Sequence, residues 1–237
     1  GTPETEAARV IKPLMALLKD EAPDVRASAA EAVARVSPDA GAMFPGLFAA
    51  FNGRSGSPAR QAEESALKLI EHLGQKLGDA DPATVAKTLE KIRGMGARGL
   101  GLLAPVGRCL RHGDLWVRVR ALECLRDFGE FAADLLNEAM RLTGDSDWYV
   151  RQLAHQCLPA LAPEGGRIIA ALRAGLSDSH ELVRKEAIRS LGQLGVAAGE
   201  AGPELLELME KSNGELRPVI ERTLERIGAP DLSVRRT

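Results

Sequence analysis

The fold is decided by a five-residue motif that recurs as Asp114-Leu115-Trp116-Val117-Arg118, Asp147-Trp148-Tyr149-Val150-Arg151, His180-Glu181-Leu182-Val183-Arg184 and Asn213-Gly214-Glu215-Leu216-Arg217. The arginines that end these four segments lie 33 residues apart each time. Self-similarity with a fixed period of roughly 20 to 50 residues is typical of repeat architectures. We therefore expect one structural unit for every 33 residues.

Small or apolar residues follow each arginine at helical spacing. They stand three, seven and ten residues after it, as Ala121, Leu125 and Phe128, then Ala154, Leu158 and Leu161, then Ala187, Leu191 and Leu194, then Ile220, Leu224 and Ile227. This spacing lines one face of a helix. Another apolar-periodic run precedes each arginine, at residues 100–110, 131–142, 168–176 and 205–209. Each unit is therefore predicted to be a pair of helices.

Two further copies of the motif stand upstream, with their arginines, Arg26 and Arg60, 34 residues apart. The distance from Arg60 to Arg118 is 58 residues, which is short of two periods. We expect residues 82–93 to form a single extra helix or a degraded repeat. The glycine-rich stretch after it, residues 94–101, is predicted to be a flexible turn at which the stack bends.

Neighbouring helix pairs of this size must stack, because one pair cannot bury its apolar face alone. Only 3% of the residues are aromatic, and Ala, Leu, Glu and Arg, which are good helix formers, are abundant. The chain is therefore predicted to be an all-α solenoid of about six to seven helix pairs. We expect a single domain with an N-terminal stack at about 4–78, an irregular helix and glycine-rich turn at 79–101, regular repeats at 98–228 and a polar tail at 229–237.

The motif resembles the HEAT repeat of the short bacterial kind, with the pattern Asp-x-x-x-Val-Arg-x-x-Ala-x-x-x-Leu best preserved in residues 114–126 and 147–159. The resemblance covers roughly residues 4–228. It implies that an aspartate and an arginine at each inter-helix turn form a ladder between adjacent repeats. The aspartates stand six residues before the arginines, as Asp20 and Arg26, Asp145 and Arg151, and Asp178 and Arg184. His112 and Lys211 replace the aspartate in two units, where we expect the ladder to be broken.

Composition and charge restrict the function. The formal net charge is −2, so the whole molecule has no strong field that would draw it to nucleic acid or to an anionic membrane. Cys109, Cys124 and Cys157 form an odd set without metal-ligand spacing, which is typical of reduced thiols in a cytoplasmic protein. No apolar run approaches the roughly 20 residues of a membrane-spanning helix. Because the chain begins without methionine, we expect it to be part of a larger chain or complex.

We predict no catalytic residue, no metal site and no cofactor. Residues 94–99 match G-x-G-x-x-G, but that motif holds a pyrophosphate only between a strand and a helix, and no strand is predicted here. The His180-Glu181 dyad resembles those of the deoxyhypusine hydroxylase family, which needs several such dyads for a dimetal centre. Cys124 and Cys157 share their repeat position with Ser190 and Thr223, which indicates a slot for small residues.

The aromatic residues are concentrated at two adjacent turns. Both tryptophans and the only tyrosine stand there, as Trp116, Trp148 and Tyr149. Trp116 and Tyr149 occupy equivalent positions, at which Glu215 occurs in the last unit. Tryptophan and tyrosine are enriched in binding hot spots, so we consider partner contact here, with ordinary packing between turns as the alternative.

The second helices supply another candidate surface, which we call the second-helix face. In HEAT proteins these helices line the concave side. The solvent-side positions are expected to be Arg120, Leu153, Glu186 and Val219 at one level, and Glu123, Gln156, Arg189 and Arg222 at the next. A surface of mixed sign with exposed apolar members suits a protein or peptide better than a row of phosphates, although a solvated face is the alternative.

These observations predict a non-enzymatic scaffold that binds a partner protein on its concave face and turn edge. The alternative is a nucleic-acid-binding protein resembling the alkylpurine DNA glycosylases. It is suggested by a basic segment that contains Arg93, Arg98, Arg108, Arg111, Arg118, Arg120 and Arg126. In the sequence, only Asp114 and Glu123 oppose these arginines. A more remote alternative is a chromophore carrier resembling the phycobilin lyases. We expect a protein partner, with neither nucleic acid nor a membrane as the ligand.

Overall fold

A computed structural model of the 237-residue chain describes residues 68–211 and 214–228, together with Leu17, Val25, Ala29 and Ala32. The upstream motif copies at Arg26 and Arg60, most of the predicted N-terminal stack and the polar tail lie outside the described residues. The described part of the chain contains helices and turns and no strand. It divides into two compact units, Gly1–Leu103 and Ala104–Thr237.

In the first unit, residues 68–76 are helical and are followed by helix α1, Pro82–Gly94. Asp81 caps α1 by accepting hydrogen bonds from the backbone N–H groups of Ala83 and Thr84 at 3.2 and 3.0 Å. Proline at the first helical position suits this start, since its missing N–H is not needed there. The helix predicted for residues 82–93 is therefore confirmed.

The glycine-rich stretch after α1 is more regular than the turn that we predicted. Residues Gly96–Leu102 form a 3₁₀ helix. Gly96 has a φ of 54° and ends the preceding helix, which explains the glycine there.

From Leu103 onward the described residues form helices that alternate between a short first helix and a longer second helix. The first helices are α2, Leu103–Cys109; α4, Leu136–Arg141; α6, Ile169–Gly175; and α8, Gly202–Lys211. The second helices are α3, Leu115–Phe128; α5, Trp148–Leu161; α7, Glu181–Leu194; and α9, Arg217–Arg226. Short 3₁₀ segments precede the first helices α4, α6 and α8.

Two of the second helices end in the same way. Gly129 follows α3 with a φ of 56°, and Gly195 follows α7 with a φ of 58°. Because an L side chain rarely adopts this backbone conformation, glycine sharply ends each helix and starts the 3₁₀ segment that leads into the next pair. At the equivalent position after α5 stands Ala162, with a φ of −144°, and Pro163 follows it.

The core lies between the stacked pairs of the second unit. All twelve residues of the apolar stripe that the repeat predicted are buried, from Ala121 in α3 to Ile227 just after α9. Helix α5 packs against α3 on one side and against α7 on the other, and α7 packs in turn against α9. This succession of helix pairs confirms the all-α solenoid fold.

The predicted small-residue slot is confirmed, and it also joins the repeats. Cys157, Ser190 and Thr223 are buried. The Ser190 hydroxyl donates to the carbonyl of His155 at 3.0 Å, and the Thr223 hydroxyl donates to the carbonyl of Ile188 at 3.2 Å. The Cys157 thiol lies 3.6 Å from the carbonyl of Leu122. Each of these side chains therefore reaches back 35 residues to the second helix of the preceding pair.

Candidate functional site

The aromatic residues at the repeat turns form one continuous row, which we call the aromatic edge: Trp116, Trp148, Tyr149 and His180. Tyr149 stands between the two tryptophans, with ring centroids 6.1 Å from Trp116 and 5.6 Å from Trp148, both edge to face. His180 stacks on Trp148 with centroids 4.1 Å apart and planes 10° apart. The structure therefore brings the predicted aromatic residues together.

Helix caps hold this row in place. The Asp114 carboxylate accepts from the backbone N–H of Trp116 at 2.8 Å, and the Asp147 carboxylate accepts from that of Tyr149 at 2.8 Å. Each aromatic residue therefore stands in the first turn of a second helix, where the backbone is anchored. Trp116 is nevertheless 54% exposed and Trp148 37% exposed. Large aromatic side chains are thus presented to solvent on a backbone that is already ordered.

His180 is the member of the aromatic edge that the sequence did not single out as an aromatic contact. It occupies the cap position of α7, equivalent to Asp114 and Asp147, but makes no side-chain cap hydrogen bond. Its ring lies against Trp148 instead. The spacing of 33 residues from Asp147, together with the neighbouring Trp148, was the signal that could have revealed this contact.

An arginine–aspartate ladder joins the same repeat turns, and two of its rungs are complete among the described residues. Arg118 donates from Nη2 to one oxygen of Asp145 at 3.0 Å, and its Nε lies 2.9 Å from the other oxygen as an ion pair. Arg151 donates to the two oxygens of Asp178 from Nε and Nη2, at 2.7 and 2.9 Å. These side chains are mostly buried, and the hydrogen bond from Arg151 holds the pKa of Asp178 below its ordinary value. Pairing of this kind links two adjacent repeats through a charge-assisted contact of defined geometry.

The expected break in the ladder is observed after Arg184. Lys211 stands 27 residues further on, where a complete rung has its aspartate, and pairs with Glu207 in its own helix. His112 replaces the ladder aspartate in the preceding unit, and its imidazole makes one of the hydrogen bonds that the aspartate makes elsewhere. Its Nδ1 accepts from the backbone N–H of Asp114 at 3.0 Å. Asp145 and Asp178 make the same turn contact with the N–H groups two residues after them.

The second-helix face differs from the prediction at one of its two levels. Leu153 and Glu186, which we expected on the solvent side, are only 8% and 4% exposed. Helix α5, which carries Leu153, and helix α7, which carries Glu186, each pack against a second helix on both sides, and that contact accounts for the burial of these positions. Arg120, at the same level, is half-buried and binds Glu123 at 2.8 Å.

The other level of the second-helix face remains accessible. Arg189 and Arg222 are exposed, and Gln156 is half-buried and accepts a hydrogen bond from Arg126 at 2.9 Å. The exposed Arg189 lies 3.6 Å from the buried carboxylate of Glu186. Burial raises the pKa of Glu186, an effect that Arg189 opposes.

Three arginines of the predicted basic segment pair with carboxylates other than Asp114 and Glu123. Arg118 pairs with Asp145, Arg126 pairs with Asp127 at 3.3 Å, and Arg111 lies 3.4 Å from Glu138. The expectation that only Asp114 and Glu123 oppose these arginines is therefore wrong. The repeat geometry adds carboxylates from the next unit, 27 residues along the chain.

The remaining candidates for chemistry are packing residues. His155 is buried, as expected of a histidine satisfied by a carbonyl, with Nδ1 at 2.8 Å from the carbonyl of Arg151. Burial raises the pKa of the Cys109 thiol to about 11 and that of the Cys157 thiol to about 12. A thiol that stays protonated is a poor nucleophile.

Among the described residues, no three His, Cys, Asp or Glu side chains lie close enough together to hold a metal ion. Helix α1, rather than a strand, precedes the G-x-G-x-x-G sequence. Among the described helices none has the length and apolar character needed to cross a membrane.

Comparisons with known proteins agree with this architecture. Residues 139–225 match a family model of HEAT repeats, and residues 10–40 match a model of the single HEAT repeat. No curated protein sequence matches the chain.

Two solved structures are similar. A designed armadillo repeat protein in complex with the peptide (KR)4 has a TM-score of 0.55 and 18% identity, covering 94% of this chain and 99% of that one. An engineered protein solved in a structural genomics programme has a TM-score of 0.53 and 18% identity, covering 94% and 97%. At this identity the likeness concerns the fold. Together with the repeated helix pairs, the family-model matches identify HEAT repeats within this chain, at residues 10–40 and 139–225.

Proposed function

We propose that this chain is a non-enzymatic scaffold that binds a partner protein along the aromatic edge and the accessible level of the second-helix face. HEAT and armadillo-type repeats commonly serve as protein-interaction scaffolds. The observation that carries the proposal is the exposure of Trp116 and Trp148 within a row of rings that already contact one another. Since capped helices order this row before binding, little side-chain entropy is lost when a partner docks.

A protein partner fits the charges better than nucleic acid does. Arg118, Arg120 and Arg126 are engaged by carboxylates of this chain. Releasing them for phosphates would break these pairs, two of which are partly buried. The exposed Arg189 and Arg222 can instead form the polar rim of an interface whose centre is aromatic. One structural neighbour, the designed armadillo repeat protein, is in complex with a peptide, which is an instance of this architecture holding a polypeptide.

The test compares three purified proteins: the wild type, the double variant Trp116→Ala, Trp148→Ala, and the control Val196→Ala. Val196 is 80% exposed and follows the opposite end of α7, so the control removes an exposed apolar side chain outside the aromatic edge. Each protein is used to capture partners from native lysate, and the captured partner is then purified and titrated by calorimetry.

We expect the double variant to raise the dissociation constant by about 100-fold or more, because truncating each hot-spot aromatic side chain costs about 2 kcal/mol of binding free energy. The control should bind like the wild type. Equal affinity of all three proteins would refute the proposed surface, and recovery of nucleic acid in place of a protein would support the alternative function.

A further inference from the structure

The last rung of the ladder leaves an arginine prepared for a carboxylate that the described residues do not supply. Arg184 is held like its counterparts: its Nη1 donates to the carbonyls of Asp178 and Ser179 at 2.8 and 3.1 Å. Arg118 and Arg151 make the same pair of contacts with the carbonyls six and five residues before them. One side of all three guanidinium groups is thus anchored identically.

The other side of the guanidinium is where the rungs differ. In the complete rungs, Nε and Nη2 bind the two oxygens of one aspartate. Within the described residues, Arg184 makes no ion pair, and Lys211 occupies the position of the missing aspartate. A lysine cannot accept a hydrogen bond, so it cannot complete the rung. The two complete rungs therefore indicate which group fits the third: a carboxylate in bidentate contact.

Space for such a group exists beside Arg184. A groove of about 720 Å³ is lined by Arg184 and reaches Glu181, Lys211 and Glu215. Four of the charged residues that line it form two pairs, Arg173 with Glu204 and Lys211 with Glu207. Glu181 and Glu215 are exposed at its rim. A bare anion would be repelled by these two carboxylates, whereas an acidic side chain with a basic neighbour matches both signs.

The groove also continues the aromatic edge. His180, the last ring of that row, directly precedes Glu181 in the chain, and its backbone N–H donates to Asp178 at 2.8 Å. We propose that Arg184 and this groove bind a peptide segment of the partner protein that places an aspartate or glutamate on the guanidinium, with a basic residue beside it. This inference rests on the proposed function and adds the chemical class of the segment that is recognised.

The test observes the Arg184 Nε–H signal in nitrogen-15 NMR spectra of the full chain, assigned by its loss in Arg184→Lys. The probes are the capped dipeptide acetyl-Asp-Lys-amide, its neutral counterpart acetyl-Asn-Lys-amide, and sodium acetate, each at matched ionic strength. We expect a saturable shift with the Asp peptide, at least tenfold weaker binding of acetate, and no shift with the Asn peptide.

Two variants at Lys211 test whether the Asp peptide binds the free side of the Arg184 guanidinium or another part of the groove. Lys211→Asp supplies the missing carboxylate from within the chain, so it should abolish the shift caused by the Asp peptide. Lys211→Asn removes the same lysine without adding a negative charge or a second oxygen for bidentate contact, and should retain the shift. A shift that persists in Lys211→Asp, or equal responses to the Asp and Asn peptides, would overturn the proposal. Acetate binding as tightly as the Asp peptide would overturn the assignment to a peptide segment.

The aromatic edge is tested separately by Trp116→Ala, Trp148→Ala, which leaves Arg184 and its anchors in place. This double variant should keep the dipeptide shift while losing the partner protein. Loss of partner binding with an intact dipeptide response would support both proposals, and partner binding without any response at Arg184 would refute the further inference alone.

Discussion

The junction between α5 and α7 and the junction between α7 and α9 have the same interior but different edges. Inside, Ser190 reaches the carbonyl of His155 at the first junction, and Thr223 reaches that of Ile188 at the second. At the edge, Arg151 binds Asp178, whereas Lys211 occupies the corresponding position 27 residues after Arg184. Stacking of the repeats therefore depends on the interior, and the polar ladder varies without disturbing it.

This independence explains how a repeat protein acquires a binding site without losing its fold. The apolar stripe recurs in every helix pair of the second compact unit, and burial of that stripe stabilises each junction between pairs. A ladder rung needs one carboxylate at one position. Replacing that carboxylate by lysine leaves the core intact and leaves an arginine available for another molecule.

The largest effect is expected from removing a complete rung. Asp178→Ala leaves the mostly buried Arg151 without its carboxylate and also removes the acceptor for the backbone N–H of His180. Breaking a buried ion pair in this way costs about 3 kcal/mol. Urea unfolding measures the loss. The matched control Lys211→Ala should change the free energy of unfolding by less than about 0.5 kcal/mol, because Lys211 is exposed. Similar losses in both variants would remove the distinction between the two edges.

The reverse substitution should make the two junctions alike. Lys211→Asp places an acceptor opposite the anchored Arg184 and is expected to increase the free energy of unfolding by about 1 kcal/mol. The rung is partly solvated, so the gain is smaller than the loss in Asp178→Ala. Chemical denaturation of Lys211→Asp beside Lys211→Asn measures the contribution of the new carboxylate. If Lys211→Asp is no more stable than Lys211→Asn, Arg184 is not held in the geometry of the complete rungs.

Removing the interior hydrogen bond should lower the free energy of unfolding by the same amount at both junctions. Ser190→Ala and Thr223→Val each remove one hydroxyl that donates to a carbonyl of the preceding repeat. We expect a loss of about 1 kcal/mol in each case, the typical net value of a hydrogen bond. Denaturant titrations of the two variants in parallel would reveal whether the interior is uniform. A much smaller loss for Thr223→Val would show that the break at the edge extends into the core.

The smallest effect concerns pH. Burial lowers the pKa of His155 in the folded state, whereas the pKa in the unfolded chain is near 6.5. At pH values between these two pKa values, the unfolded chain binds more protons than the folded chain. Stability is therefore retained above about pH 6.5 and declines as the pH falls below that value. His155→Leu introduces a residue type that stands at the equivalent position in α3, as Leu122, and should remove this decline.

Thermal unfolding between pH 7 and pH 5 measures how steeply the stability of each protein falls with pH. The contribution of His155 to that slope is close to zero at pH 7, where the side chain is neutral in both the folded and the unfolded state. The total stability of the variant is not the readout, because the hydrogen bond from Nδ1 to Arg151 is also lost. The same slope in the two proteins would assign the acid sensitivity to other groups.

Several features of the site followed from the repeat alone. Aligning the units by their arginines placed Trp116 and Tyr149 at equivalent positions, and the HEAT resemblance located the interruption of the ladder at Lys211. Both are properties of position within a unit. His180 was recognised only as half of a dyad, since stacking on Trp148 depends on how one turn lies against the next.

Periodicity by itself determined the helix pairs, the buried stripe and the small-residue slot, because these repeat in every unit and depend on spacing along one helix. Only the tertiary structure decided that Leu153 and Glu186 are buried and that Arg111 and Arg118 pair with carboxylates of the next repeat. Burial at the second-helix face results from packing against helices on both sides. Ladder rungs and slot contacts join residues 27 and 35 positions apart, a pairing that is determined by the stacking of one repeat on the next.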